Sequence, residues 1–125
     1  MVKSIFYVII STLIITVGVI FENNFIKKNF DELYSITNIL YEKTEEKTAN
    51  AEDVKVLQKC WENKKKSLHA FIPHNEIKEF DMWIGETITL VMYEKWEDAL
   101  SRLDVVRELA KEIPKTFQIS FANIF

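Results

Sequence analysis

The sequence of 125 residues contains two glycines, two prolines and one cysteine. So few glycines and prolines leave little for the tight turns of sandwiches and barrels, and they disfavour a glycine-rich phosphate-binding loop. A single cysteine cannot form an internal disulfide or a thiolate metal cluster. The chain also lacks an excess of basic residues, because its formal net charge is -3. This charge does not indicate a basic surface for binding nucleic acid. The 48% of hydrophobic residues is typical of a folded protein, and the length allows one domain. With the turn-rich folds disfavoured, we expect an all-α fold.

A long uncharged run stands at the start of the chain. Eighteen residues lie between Lys3 and Glu22 without a charge, and at about 1.5 Å per residue they span roughly 27 Å. The run continues through Phe21 without the small residues of a cleavage site. We therefore predict a transmembrane signal anchor over residues 1–22, in preference to a cleavable signal peptide or a buried core helix, and a second region over residues 23–125.

The charges that flank this run bear on its orientation in a bilayer. Lys3 and the amino terminus lie before it, and Lys27 and Lys28 lie after it, so the tally of basic residues is close to even. A short N-terminal tail followed directly by an anchor is the usual signal-anchor arrangement. We therefore expect a single-pass cell membrane protein with a cytoplasmic N-terminus and an extracytoplasmic bundle.

Beyond the anchor, apolar residues recur at helical spacing in four segments. The first continues the anchor helix, the second extends from a cap at Asn50 to about Phe71, and the third begins at Pro73. A break near Lys95, rather than one long rod, separates the third segment from a fourth that ends before Pro114. The prediction is an antiparallel bundle of about four helices. Its expected core comprises Leu40, Leu57, Trp61, Phe80, Ile84, Ile88, Leu103 and Val106.

The apolar period changes after Pro114, where apolar residues alternate with polar or small ones. This alternation predicts an extended apolar tail over residues 114–125. Its apolar side chains need a cover, which is either a groove of the bundle itself, the option that we favour, or a partner protein. The partner-binding residues would be Phe117, Ile119, Phe121, Ile124 and Phe125.

Several short motifs of this chain resemble the bacterial domain of unknown function 4363 family. They are the N-terminal anchor, the stretch CWENKKKSLHAF, the following HNEI, the EDAL stretch, and the closing NIF after an isoleucine-proline step. The resemblance implies a small anchored helical protein of spore-forming, low G+C bacteria, without an assigned activity. It supplies no catalytic residues.

No pattern of catalytic or metal-ligating residues stands out from the sequence. His69 and His74 are five residues apart across a proline turn, so they do not share a helix face with Glu76 as metal ligands would. We predict instead that His74 and Asn75 help to cap the third helix and that Glu76 complements its dipole. Cys60 has no neighbouring base that would make it a nucleophile. We expect no enzyme activity, no metal and no cofactor.

Two functions are compatible with these features. The first is a non-enzymatic helical interaction or scaffold module at the cell envelope, which docks on another membrane or envelope protein. The second is a small extracytoplasmic ligand-sensing bundle, whose groove would be lined by Trp61, Lys65, His74 and Glu76. Such sensors normally have a second membrane helix and a cytoplasmic output, which this sequence does not show, so we favour the first function.

The lysine run 64–66 is interpreted as a solvated face rather than a lipid-binding patch.

Overall fold

The computed structural model describes residues 1–117, and within this part of the chain it contains four α-helices and no strand. The helices are α1 (Val2–Glu45), α2 (Ala51–Leu68), α3 (His74–Met92) and α4 (Trp96–Phe117). Short turns join them, and α1 packs against both α2 and α4. The second half of α1 thus completes an antiparallel four-helix bundle, which confirms the predicted all-α architecture.

The two halves of α1 differ in burial. Its buried residues all lie from Ile26 onward and follow spacings of four and three, so that they form one stripe facing α2 and α4. None of the residues in its apolar N-terminal stretch is buried. One uninterrupted helix of 44 residues therefore has a bare apolar half, Val2–Phe21, and a packed half. The buried stripe comprises Ile26, Phe30, Leu33, Thr37, Leu40 and Thr44.

The turns between helices are made without glycine. Lys47 and Glu94 adopt the left-handed conformation with φ of 60° and 56°, which ends α1 and α3 and lets the following N–H groups donate back into the helices. Asn50 then caps α2 in a capping box, because its side chain accepts a hydrogen bond from the Asp53 N–H at 3.1 Å and its own N–H donates to that carboxylate at 2.9 Å. The predicted cap at Asn50 and the predicted break near Lys95 are both confirmed.

The core contains seven of the eight residues predicted for it, each at most 2% exposed. Ile88 is the exception, because it is only half-buried. Thr87, one residue earlier, takes the core position between Ile84 and Val91. Its hydroxyl donates to the Trp83 carbonyl at 2.8 Å, so the polar group is satisfied inside the core.

Two predicted helix ends are wrong. α2 ends at Leu68, and a turn follows in which the Ile72 N–H donates to the Leu68 carbonyl at 2.9 Å. α4 passes through Pro114 and is helical to Phe117, the last described residue, so the predicted extended tail does not begin at 114. A proline costs a helix the hydrogen bond to the carbonyl four residues earlier. Here the loss falls in the last turn of α4, and the ring of Pro114 is buried.

Candidate functional site

The bare apolar half of α1 is the largest exposed apolar surface in the described part of the chain. Ile5, Leu13 and Phe21 are 61%, 59% and 65% exposed, and their neighbours are similar. Soluble monomers rarely leave so large a contiguous apolar surface in water. This N-terminal helix is long and apolar enough to span a membrane.

Next to the apolar half lies one end of the bundle, which we call the basal end. It consists of residues 25–31 of α1, the α2–α3 turn at 69–73 and residues 110–117 of α4. These parts meet because α2 runs back towards the apolar half and α4 does the same after α3. The ring of Phe25 lies 6.2 Å from that of Phe21 and 5.4 Å from that of Phe71, so an aromatic row joins the α2–α3 turn to α1.

A basic cavity of about 460 Å³ opens between α1 and α4 at the basal end. Lys27 of α1 and Lys111 and Lys115 of α4 line it, with Asp31 as the acidic residue among them. The three lysines are exposed. Lys115 Nζ lies 3.6 Å from Glu112 Oε1 on the same helix. Both side chains are exposed, so this ion pair contributes little energy in water.

A second, shallow groove of about 560 Å³ adjoins this cavity along α1. It shares Lys27 and Asp31 with the cavity and adds Lys28 and Glu32. Lys27 therefore stands between two concavities. Two basic residues of α1 and two of α4 are gathered on one side of the basal end, although Lys28 and Lys111 are more than eighty residues apart in the sequence.

The lysine run on α2 is largely engaged in links between helices. Lys64 is 13% exposed at its side chain, donates to Asn29 Oδ1 at 3.1 Å, and pairs with Glu32. This hydrogen bond and the charge of Lys64 hold the pKa of the Glu32 carboxyl below its ordinary value. Lys65 Nζ lies 3.2 Å from Asp81 Oδ1. Two of the three lysines predicted to form a solvated face thus connect α2 to α1 and α3.

The residues proposed for a ligand groove are only partly brought together. Trp61 is buried in the core, and its Nε1 donates to Asp81 Oδ1 at 2.9 Å, so Trp61 and Lys65 meet on the same carboxylate. His74 and Glu76 lie seven and five residues before Asp81 on α3, roughly 10 and 8 Å away along the helix axis. Asp81 was not singled out in the sequence, since a single half-buried acid on a helix gives no periodic signal.

The two histidines lie close to the α2–α3 turn, His69 within it and His74 as the first residue of α3. Their rings stack with centroids 5.6 Å apart, and no group of three potential metal-ligating His, Cys, Asp or Glu residues occurs within residues 1–117. The predicted caps are wrong, because Pro73 occupies the cap position of α3 without a side-chain hydrogen bond. Glu76 does lie in the first turn, where the helix dipole favours an acid. Burial raises the pKa of the Cys60 thiol, which favours the unreactive protonated form.

The predicted partner-binding tail falls mostly outside the described residues. Phe117 is the last described residue; it belongs to α4, is half-buried and packs against the core. The other four residues of this prediction, Ile119, Phe121, Ile124 and Phe125, lie beyond the part of the chain that the structure describes.

Comparison with known proteins gives one match. The model of a family described as a domain of unknown function (DUF4363) matches residues 20–124, which include the packed half of α1 and the other three helices. No curated protein and no solved structure matches the chain.

Proposed function

Because this chain belongs to the DUF4363 family of domains of unknown function, its role has to be inferred from its physical form, and we propose that it is a membrane-anchored, non-enzymatic interaction module. The observation that carries this proposal is the division of α1. One helix has an apolar half without a buried residue and a second half that forms part of the bundle core. A bilayer is the medium that would cover the first half without covering the second.

An uninterrupted α1 also gives the bundle a fixed position. About 24 residues separate Phe21 from the end of the helix, so the bundle would reach roughly 36 Å from the hydrocarbon boundary. A rigid helix, unlike a flexible linker, would hold the same faces of the bundle at a constant height above the bilayer. Such an arrangement suits contact with another protein of the same membrane or of the envelope.

Apolar surface outside the apolar half supports an interaction role. Ile39 of α1 and Val56 of α2 are each 56% exposed and line one small cavity of about 140 Å³ between these helices. Ile119, Phe121, Ile124 and Phe125 add four large apolar residues to the C-terminal sequence. Apolar groups of this kind gain free energy when a partner covers them.

We expect truncation after Phe117 to show whether the bundle itself or a partner protein covers the apolar C-terminal residues. If the bundle covers them, the free energy of unfolding falls by at least about 1.5 to 3 kcal/mol, the value of one buried apolar side chain. If a partner covers them, stability is unchanged and an envelope protein that is crosslinked to the full chain in native membranes is lost from the truncated one. The measurements are denaturant unfolding and mass spectrometry of the crosslinked products. Unchanged stability and unchanged crosslinks would contradict both covers.

The proposed orientation places the bundle outside the cytoplasm. In a Cys60→Ser background, Glu46→Cys puts one thiol on the exposed end of α1, and Val2→Cys puts one on the other side of the apolar half. We expect a membrane-impermeant maleimide to label the Glu46→Cys variant in intact spheroplasts and the Val2→Cys variant only after lysis. The opposite pattern would show that the bundle is cytoplasmic.

A further inference from the structure

We propose that the basic cavity at the basal end binds the headgroup phosphate of an anionic phospholipid. The ligand would be held by Lys27 of α1 and by Lys111 and Lys115 of α4. This inference rests on the proposed membrane anchor and adds a lipid class to it. The anchor alone requires only hydrocarbon, whereas this cavity would make the protein sensitive to headgroup charge.

The height of the cavity matches that of the headgroups. Lys27 lies six residues after Phe21, the last residue of the uncharged run, which is about 9 Å along the helix. The headgroup layer on each side of a bilayer is roughly 5 to 8 Å thick beyond the hydrocarbon core. A lysine can extend its flexible stem towards the bilayer surface from this position. The ammonium groups around the cavity therefore reach the level at which lipid phosphates lie.

The second helix returns to the same level. α1 and α4 are antiparallel, so Lys111 and Lys115 line the cavity together with Lys27 and Asp31. Because α4 continues to Phe117, its last turn lies still closer to the apolar half of α1 than Lys111 does. The lysines of both helices thus approach the bilayer surface from one side of the bundle.

The charge of the cavity favours an anion over a zwitterion. Three lysines and one aspartate give its lining a formal charge of +2. Within residues 1–117, neither Lys27 nor Lys111 forms a salt bridge, and the contact of Lys115 with Glu112 is an exposed pair of little energetic value. A lipid phosphate would therefore have no strong internal ion pair to displace. Phosphatidylcholine would bring a compensating cation into the same space, whereas phosphatidylglycerol would not.

The contrast with the α2 lysines makes the assignment specific. Lys64 and Lys65 are held by Glu32 and Asp81, so they take part in the internal links of the bundle. Within residues 1–117, the lysines around the cavity form no salt bridge to another helix. The lining is both polar and apolar, because it also includes Tyr34, Ala110 and Pro114, which suits a headgroup with the first part of its glycerol.

The test uses the full chain in detergent micelles, titrated with phosphatidylglycerol or phosphatidylcholine of equal chain length and followed by native mass spectrometry. Each lysine near an anionic surface strengthens binding by about fivefold. We expect phosphatidylglycerol to bind at least about tenfold more tightly than phosphatidylcholine. The combined variant Lys27→Gln, Lys111→Gln and Lys115→Gln should lose at least that preference.

A matched control removes the same charge elsewhere. Lys47→Gln, Lys59→Gln and Lys95→Gln change three exposed lysines that form no salt bridge within residues 1–117 and do not line the cavity, and this variant should keep the preference. Equal binding of the two lipids, or equal losses in the two triple variants, would overturn the assignment. Alkaline extraction of native membranes separates this failure from that of the anchor. Protein that stays in the pellet without a lipid preference refutes the lipid site alone, and protein that is extracted refutes the anchor and the site together.

Discussion

Replacing Leu57 with alanine is expected to lower the free energy of unfolding of a fragment comprising residues 23–125 by about 2 to 5 kcal/mol. Leu57 is 0% exposed and lies in the core between Val54 and Trp61 on the buried face of α2. Removing its side chain loses the transfer free energy of three carbons and leaves a cavity that a close-packed bundle can fill only in part. The measurement is equilibrium unfolding in denaturant, followed by circular dichroism.

The neighbouring residue provides the control. Val56 is 56% exposed on the same helix, and Val56→Ala should change the free energy of unfolding by no more than about 0.5 kcal/mol. The fragment retains every buried residue of α1, since these begin at Ile26. Equal effects of the two substitutions would show that α2 packs with a different face.

Two acidic residues in the apolar half should abolish membrane integration and leave the bundle intact. Leu13 and Ile14 lie near the middle of the uncharged run and are 59% and 67% exposed. An aspartate at the centre of a membrane-spanning helix costs about 2.5 to 3.5 kcal/mol, so the combined variant Leu13→Asp and Ile14→Asp loses roughly 5 to 7 kcal/mol of insertion free energy. Alkaline extraction should release the protein from the membrane pellet into the soluble fraction.

The same chemical change on the bundle surface is the control for this variant. Ile39→Asp and Val56→Asp replace two exposed apolar residues of α1 and α2, and this protein should remain in the membrane pellet. Retention of the Leu13 and Ile14 variant in the pellet after alkaline extraction would contradict the anchor. Release of both variants would show that the Ile39 and Val56 surface is itself needed for membrane attachment.

The main features of the bundle were predictable because they depend on neighbours in the chain. The stripe from Ile26 to Thr44 follows from spacings of three and four, which place residues on one face of any α-helix. The cap at Asn50 follows from a side chain that can accept from the N–H of Asp53 three residues later. The bare half of α1 was predictable for a similar reason, since the length and apolar composition of an uncharged run can be read from consecutive residues alone.

The wrong predictions share a different cause. Pro114 was expected to end α4, yet its ring is buried, and packing compensates for a lost hydrogen bond in the last turn. Ile88 was expected in the core by its hydrophobicity, but the register of α3 buries Thr87 instead. Lys64 was expected on a solvated face of α2 but reaches two polar side chains of α1 instead. Each outcome depends on atoms of another helix.

The candidate site shows the same division most clearly. Its individual lysines are ordinary surface residues in the sequence, where Lys27 is separated from Lys111 by more than eighty residues. They line one cavity only because α4 runs antiparallel to α1 and packs against it. Periodicity, capping and long apolar runs are local properties, so the sequence alone predicts helices, their buried faces and a helix able to cross a membrane. Which charges from distant helices meet depends on the order, direction and packing of the helices in three dimensions, and these arise from long-range contacts that no local pattern records.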